Sequence, residues 1–124
     1  MKTFVVLGAI LAALAVATGA FGAHALAARL TPERLQTWET AARYHMYHAL
    51  ALVLLGIAAS RWPSPLLNAA GWLFVFGVMV FGGTVYTLAL GGPRWLGAIT
   101  PIGGLSLIVA WVLFALGVAR SSSV

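Results

Sequence analysis

The chain has 124 residues, room for one domain. It is 62% hydrophobic and 7% charged, with a net charge of +5 and a mean hydropathy of +1.02, more apolar surface than a soluble domain this short could bury. It has no cysteine, which excludes disulfide frameworks, thiolate metal sites and cysteine nucleophiles, and its seven basic residues are scattered, which points to lipid headgroups and not to nucleic acid.

Crossing a bilayer takes about 20 apolar residues as a helix. Four stretches without charge approach or exceed that length: between Lys2 and Arg29, Arg43 and Arg61, Arg61 and Arg94, and Arg94 and Arg120. They predict an all-α membrane protein, an antiparallel four-helix transmembrane bundle with spans at about 3–23, 42–60, 66–90 and 98–119.

The first apolar run is longer than the h-region of a cleaved signal peptide, so it is read as a retained span. The second helix opens on a local signal: Thr31 as N-cap, Pro32 at the first helical position and Glu33 in the first turn. Leu35, Trp38 and Ala42 form an apolar stripe at helical spacing, and Glu39 and Arg43 stand as an i,i+4 pair. This helix is expected to begin as an interfacial lead-in before entering the membrane. Ser64 and Pro65 repeat the cap-then-proline signal for the third helix, and Gly91, Gly92 and Pro93 stop it. Thr100 and Pro101 read as N-cap and first position of the fourth, which ends before Arg120 and a polar tail of Ser121, Ser122 and Ser123.

Fourteen glycines are many for such a chain. Glycine weakens helices in water but lets helix backbones approach in lipid. Gly19, Gly22, Gly82, Gly83, Gly103 and Gly104 are the expected helix-packing positions, within the bundle or across a homo-oligomer built on a glycine face.

At 1.5 Å per residue, polar residues can be placed by depth. His24 lies five residues before Arg29 and His48 five after Arg43, both about 7–8 Å inside the same membrane face. His45 is one turn shallower than His48. Tyr44, Tyr86 and Thr100 bring the second, third and fourth helices to that level. The spacing therefore predicts one polar layer made from all four helices. Ionisable groups inside a membrane usually face the bundle interior and often mark a site. Three histidines could hold zinc or copper, and two could ligate haem. A hydrogen-bonded cluster without metal or cofactor is the simpler expectation.

Catalytic groups are scarce. Glu33 and Glu39 are the only carboxylates, six residues apart and so not on one helix face. No aspartate, triad, P-loop or dinucleotide fingerprint is present. The chain reads as a non-enzyme.

Residues 19–26 read GAFGAHAL, 38–50 WETAARYHMYHAL, 81–86 FGGTVY and 97–104 GAITPIGG. Together they resemble the small membrane family known as domain of unknown function 423, related to transmembrane protein 256 of eukaryotes. The resemblance implies four transmembrane helices and motif positions at Gly22, His24, Tyr44, His48, Tyr86, Thr100, Pro101, Gly103 and Gly104. His45 stands where it implies glutamine, and Gly82 where it implies serine. It implies no activity. The expected role is a bacterial inner-membrane accessory or interaction protein, surrounded by membrane lipids, that assembles with copies of itself; no protein partner is indicated. The alternative is a small carrier or channel subunit for a proton, metal ion or lipid-like solute, using the histidine and tyrosine layer. A metal- or haem-binding membrane protein is the third reading. Positive charge is nearly equal on the two sides, so orientation stays open.

Overall fold

The computed structural model describes residues 1–121; the expected tail at Ser122 and Ser123 lies outside them. Four helices follow in order: α1 (Lys2–Phe21), α2 (Pro32–Arg61), α3 (Pro65–Ala89) and α4 (Leu96–Arg120), with a π-helical turn, Gly22–Leu26, after α1. Short connections turn the chain back each time, so the bundle is antiparallel. α1 and the π turn together, α3 and α4 are each long and apolar enough to cross a membrane.

The caps explain where α2 and α3 begin. The Thr31 hydroxyl accepts from the Arg34 amide at 3.3 Å, and Ser64 accepts from the Leu66 amide at 3.1 Å, each just before a proline at the first helical position. Gly91 ends the α3 connection at φ +92°, a left-handed backbone that glycine adopts without a Cβ clash. The Arg34 guanidinium packs over Gly91, which ties the first turn of α2 to the third loop at one end of the bundle.

α4 begins earlier than Thr100 and Pro101 suggested. Amides of Leu96, Gly97 and Ala98 bond back to Pro93, Arg94 and Trp95 at 3.0–3.1 Å and nucleate the helix there. Pro101 lies inside the helix. Thr100 is no N-cap; its hydroxyl turns back to the Leu96 carbonyl at 3.0 Å, the kind of side-chain support that lets membrane helices carry a proline.

α2 is one continuous helix of 30 residues, about 45 Å long and so longer than the hydrocarbon core. Its first turns are not simply interfacial. Trp38 is buried with Leu26 and Ala89, and its ring meets that of Tyr86 at 4.6 Å. Arg43 reaches Thr40 at 3.4 Å instead of pairing with Glu39.

The extensive helix contacts run α1 to α2, α2 to α3 and α3 to α4. The main core lies toward the other end, around Phe4, Leu52, Leu55, Leu67 and Phe74, all fully buried. Phe4 seats its ring on Gly71 of α3, a place open only because that residue has no Cβ.

Candidate functional site

The polar residues inside the bundle divide among separate clefts of α2. On the α1 side, Tyr86 is the hub. Its hydroxyl lies 2.7 Å from Thr18 Oγ1 and 3.0 Å from His45 Nδ1. Thr18 Oγ1 also lies 3.1 Å from the Ala15 carbonyl, and the Trp38 indole N–H donates to the Thr18 carbonyl at 2.8 Å. Three helices thus meet through Thr18, His45 and Tyr86.

Each hydroxyl has one proton, so this chain has two consistent registers. If Thr18 donates to Ala15, Tyr86 donates to Thr18, His45 Nδ1–H donates to Tyr86, and Nε2 is a bare acceptor. If Thr18 donates to Tyr86 instead, it no longer donates to Ala15, Tyr86 donates to His45 Nδ1, and Nε2 carries the proton. His45 is 8% exposed, and its Nε2 is the one fully buried side-chain N or O atom without a hydrogen-bond partner among the described residues. Beside this chain lies a groove of about 260 Å³ lined by Leu11, Leu14, Val78, Met79, Gly82 and Gly83 together with the three polar residues.

On the α4 side stands His48, 7% exposed. Its Nδ1–H donates to the Tyr44 carbonyl at 2.7 Å. Aromatic rings surround it: Tyr44 at 6.2 Å, Phe74 at 6.0 Å and Trp111 at 5.9 Å between centroids. Tyr44 in turn stacks on Phe81 at 5.2 Å. A further pair is independent of both histidines: Thr100 Oγ1 lies 2.7 Å from Thr84 Oγ1, joining α4 to α3.

The expected single layer is therefore replaced by three groups, and His24 joins none of them. It is exposed on the π turn. A π turn holds one more residue than an α turn, and the extra residue changes which side chains face inward; here Gly22 and Leu26 do. The three histidines do not converge, and no three metal-ligating side chains come together among the described residues. Tyr44 points its ring, 42% exposed, at the outer edge of the α4-side cleft.

The glycines sort the same way. A Cβ on Gly22 would meet the Trp38 ring at 2.5 Å, and one on Gly103 the Phe81 amide nitrogen at 2.6 Å, so both serve close packing. Gly19 and Gly83 face open space, and Gly82 and Gly104 have a nearest neighbour at 3.8–4.0 Å. Other glycines stand close to neighbouring backbone as well. A Cβ would lie 2.8 Å from Ala49 and Val53 backbone atoms on Gly8, 2.8 Å from the Val5 amide nitrogen on Gly56, and 3.1 Å from the Gly103 carbonyl on Gly77.

Thr18 and Trp38 are the members of the α1-side group that depth from charged residues did not find. Thr18 is one hydroxyl in a long apolar run, and only its facing Tyr86 marks it. Thr84 and Ser106 were missed likewise; Ser106 donates to the Leu73 carbonyl at 2.8 Å.

Comparison with known proteins places these residues in a wider set. A family model described as "Protein of unknown function (DUF423)" matches residues 18–104. A UPF0382 membrane protein of Staphylococcus saprophyticus is 48% identical over 117 residues, covering 94% of this chain and 97% of the relative. UPF0382 membrane proteins of Staphylococcus epidermidis and Bacillus subtilis are 45% and 41% identical, each covering 97% of this chain and 98% of the relative. No solved structure matches the chain.

Proposed function

The chain belongs to the DUF423 family, an integral membrane protein by its helices, and from that premise we propose that it is a non-enzymatic accessory protein of the bacterial inner membrane that assembles with itself or another membrane protein. In this reading α2 is the fourth crossing, with the uncharged residues 44–60 between Arg43 and Arg61 in the hydrocarbon. One observation carries it: apart from Nε2 of the two buried histidines, the hydrogen-bonded polar groups inside the bundle are committed to one another or to backbone carbonyls. Thr18, Tyr86 and His45 form one set, Thr84 and Thr100 another, and His48 and Ser106 each use a backbone carbonyl. Both carboxylates, Glu33 and Glu39, lie exposed at the start of α2, far along the helix from His48. Such bonding holds helices together; it offers no acid–base pair.

Assembly draws support from the outward glycines. Gly19 and Gly83 leave smooth notches on the lipid-facing surface, where a neighbouring helix can approach closely. Native mass spectrometry from nanodiscs, with in-membrane crosslinking, tests this. The expected result is a mass above the monomer or one co-purifying membrane protein, reduced by Gly83→Leu. A lone monomer without crosslinked partners would overturn it.

The carrier reading keeps one observation in its favour, the unpartnered His45 Nε2 at a groove between three helices. Proton or solute flux in liposomes that is abolished by His45→Ala would move the function there.

A further inference from the structure

The α4-side cleft differs in kind from the groove beside His45. Its volume is about 300 Å³, the lower end of small-ligand sites, and it is lined by Tyr44, His48, Phe81, Gly104, Leu107, Ile108 and Trp111. No charged side chain is among them. An ion entering it would lose its water without a counter-charge, so the cleft is unsuited to ions.

Of its three polar side-chain groups, the Tyr44 hydroxyl, the Trp111 indole N–H and the His48 ring, His48 offers the one atom that can only accept. A backbone carbonyl only accepts, so the 2.7 Å contact with Tyr44 fixes the proton of the neutral His48 ring on Nδ1. Nε2 then presents a lone pair. No described residue hydrogen-bonds it, and unlike His45 Nε2 it is not fully enclosed. It is an acceptor that asks for one donor, on a side chain more than nine-tenths buried.

The walls supply the rest. Tyr44 and Phe81 lie nearly parallel, at 29°, on one flank. Trp111 stands on the other, itself braced by parallel stacking on Phe114 at 6.0 Å. Flat aromatic walls favour a flat ring between or against them. Gly104 leaves its part of the wall without a side chain; a Cβ there would find only Phe81, at 4.0 Å. The rim residues Tyr44 and Ile108 are 42% and 63% exposed on the surface that faces lipid, so entry is from the bilayer. With α2 entering the bilayer after Arg43, as in the crossing proposed above, the cleft lies at the depth where an amphiphile carries its polar end.

We propose that the cleft between α2, α3 and α4 binds a lipid-soluble alcohol or phenol with a flat ring, its hydroxyl donating to His48 Nε2 and its ring held by Tyr44, Phe81 and Trp111. Any tail would lie outside, along α4 in the lipid. The site is independent of the assembly proposed above.

The probes are β-naphthol and its methyl ether, which share a ring and differ in the single donor. Protein with nitrogen-15 histidine in nanodiscs is titrated with each, and binding is followed by tryptophan fluorescence. β-Naphthol is expected to bind saturably and to shift the His48 Nε2 resonance. The ether is expected to bind about tenfold more weakly, the worth of one hydrogen bond of ordinary strength, and to leave Nε2 in place. Trp111→Phe should remove most of the fluorescence response. Gly104→Leu, which fills the cleft without touching His48, should weaken β-naphthol at least about tenfold while the His45 resonances, across α2, stay unchanged and report an intact fold. Equal binding of the two probes to the unaltered protein overturns the proposal. So does a His48 Nε2 resonance unmoved at saturation, or normal binding by a folded Gly104→Leu protein.

Discussion

On the α1 side of α2, the His45 ring sits within a closed set of bonds to Tyr86 and Thr18, under a lining that is almost wholly apolar. On the α4 side, one turn further along the same helix, His48 bonds only its own backbone and turns its other nitrogen to an aromatic cleft open to lipid. The two residues are i,i+3 neighbours, about 60° apart around the helix. That angle is small when a helix has one partner. α2 has several, α1 on one flank and α3 and α4 on the other, so 60° is enough to send the two rings to different clefts. Spacing on a helix fixes which residues are neighbours. The packing of that helix decides whether they share a site.

Added volume should be costly at the α1–α2 seam near His45 and cheap at the Gly104 wall of the aromatic cleft. A Cβ on Gly8 would lie 2.8 Å from Ala49 and Val53 backbone atoms, one turn from His45, and backbone cannot swing aside. Gly8→Ala should lower stability by about 3 kcal/mol, the upper part of the range for overpacking a tight seam. Gly104→Ala has room and should be neutral or slightly stabilising, since alanine is the better helix former. Unfolding titrations with dodecyl sulfate, followed by tryptophan fluorescence, would measure both. Similar losses at the two positions would erase the distinction between the clefts.

The tyrosines give a second contrast. Tyr86→Phe removes two hydrogen bonds; Thr18 keeps its bond to the Ala15 carbonyl, but His45 Nδ1 is stranded inside the bundle. A loss of about 1.5 kcal/mol is expected, because membrane hydrogen bonds are individually modest. The Tyr44 hydroxyl has no hydrogen bond among the described residues and its ring is 42% exposed, so Tyr44→Phe should change stability little. The same titrations compare them. A larger loss at Tyr44 would show that its hydroxyl takes part in a contact formed only in the membrane or in an assembly.

The helix starts at Thr31–Pro32 and Ser64–Pro65 were legible because capping is local: a hydroxyl bonds an amide two or three residues on, and nothing distant intervenes. The same pattern failed at Thr100–Pro101, where an earlier turn at Pro93 had already started the helix. That His45 and Tyr86 stand at one level of the bundle was legible, since charge landmarks bracket their spans. Direction around the helix was not. His24 turned outward because a π turn, invisible in the apolar pattern, interrupts the helical period. Glycine content announced close packing, yet the seam positions proved to be Gly8, Gly56 and Gly77 as well as Gly22 and Gly103. Which glycine meets a neighbour depends on the rotation of two helices together, and one sequence carries no record of that pairing.

Trp38→Phe probes the edge of the closed side. It deletes the indole bond to the Thr18 carbonyl at 2.8 Å while a ring remains against Tyr86. About 1 kcal/mol should be lost, again read from the detergent titration. If the loss approaches that of Tyr86→Phe, Trp38 is holding Thr18 in place, and the group of three is better regarded as four.

The smallest effect is expected where α3 meets α4. Thr84 and Thr100 face each other at 2.7 Å, but neither hydroxyl depends on the other. Thr84 also lies 2.9 Å from the Val80 carbonyl and Thr100 3.0 Å from that of Leu96. In Thr100→Val, Thr84 can keep its own carbonyl, the added methyl replaces a hydroxyl of similar size, and no buried donor is stranded. A loss of at most about 0.5 kcal/mol follows. A loss as large as that of Tyr86→Phe would mean that the Thr100 hydroxyl is needed beside Pro101, where the helix lacks an amide to bond the Gly97 carbonyl. Thr100→Ser separates the two causes. It keeps the hydroxyl and drops the methyl, so it should restore stability if the hydroxyl supports the proline turn, and should not if the loss came from packing.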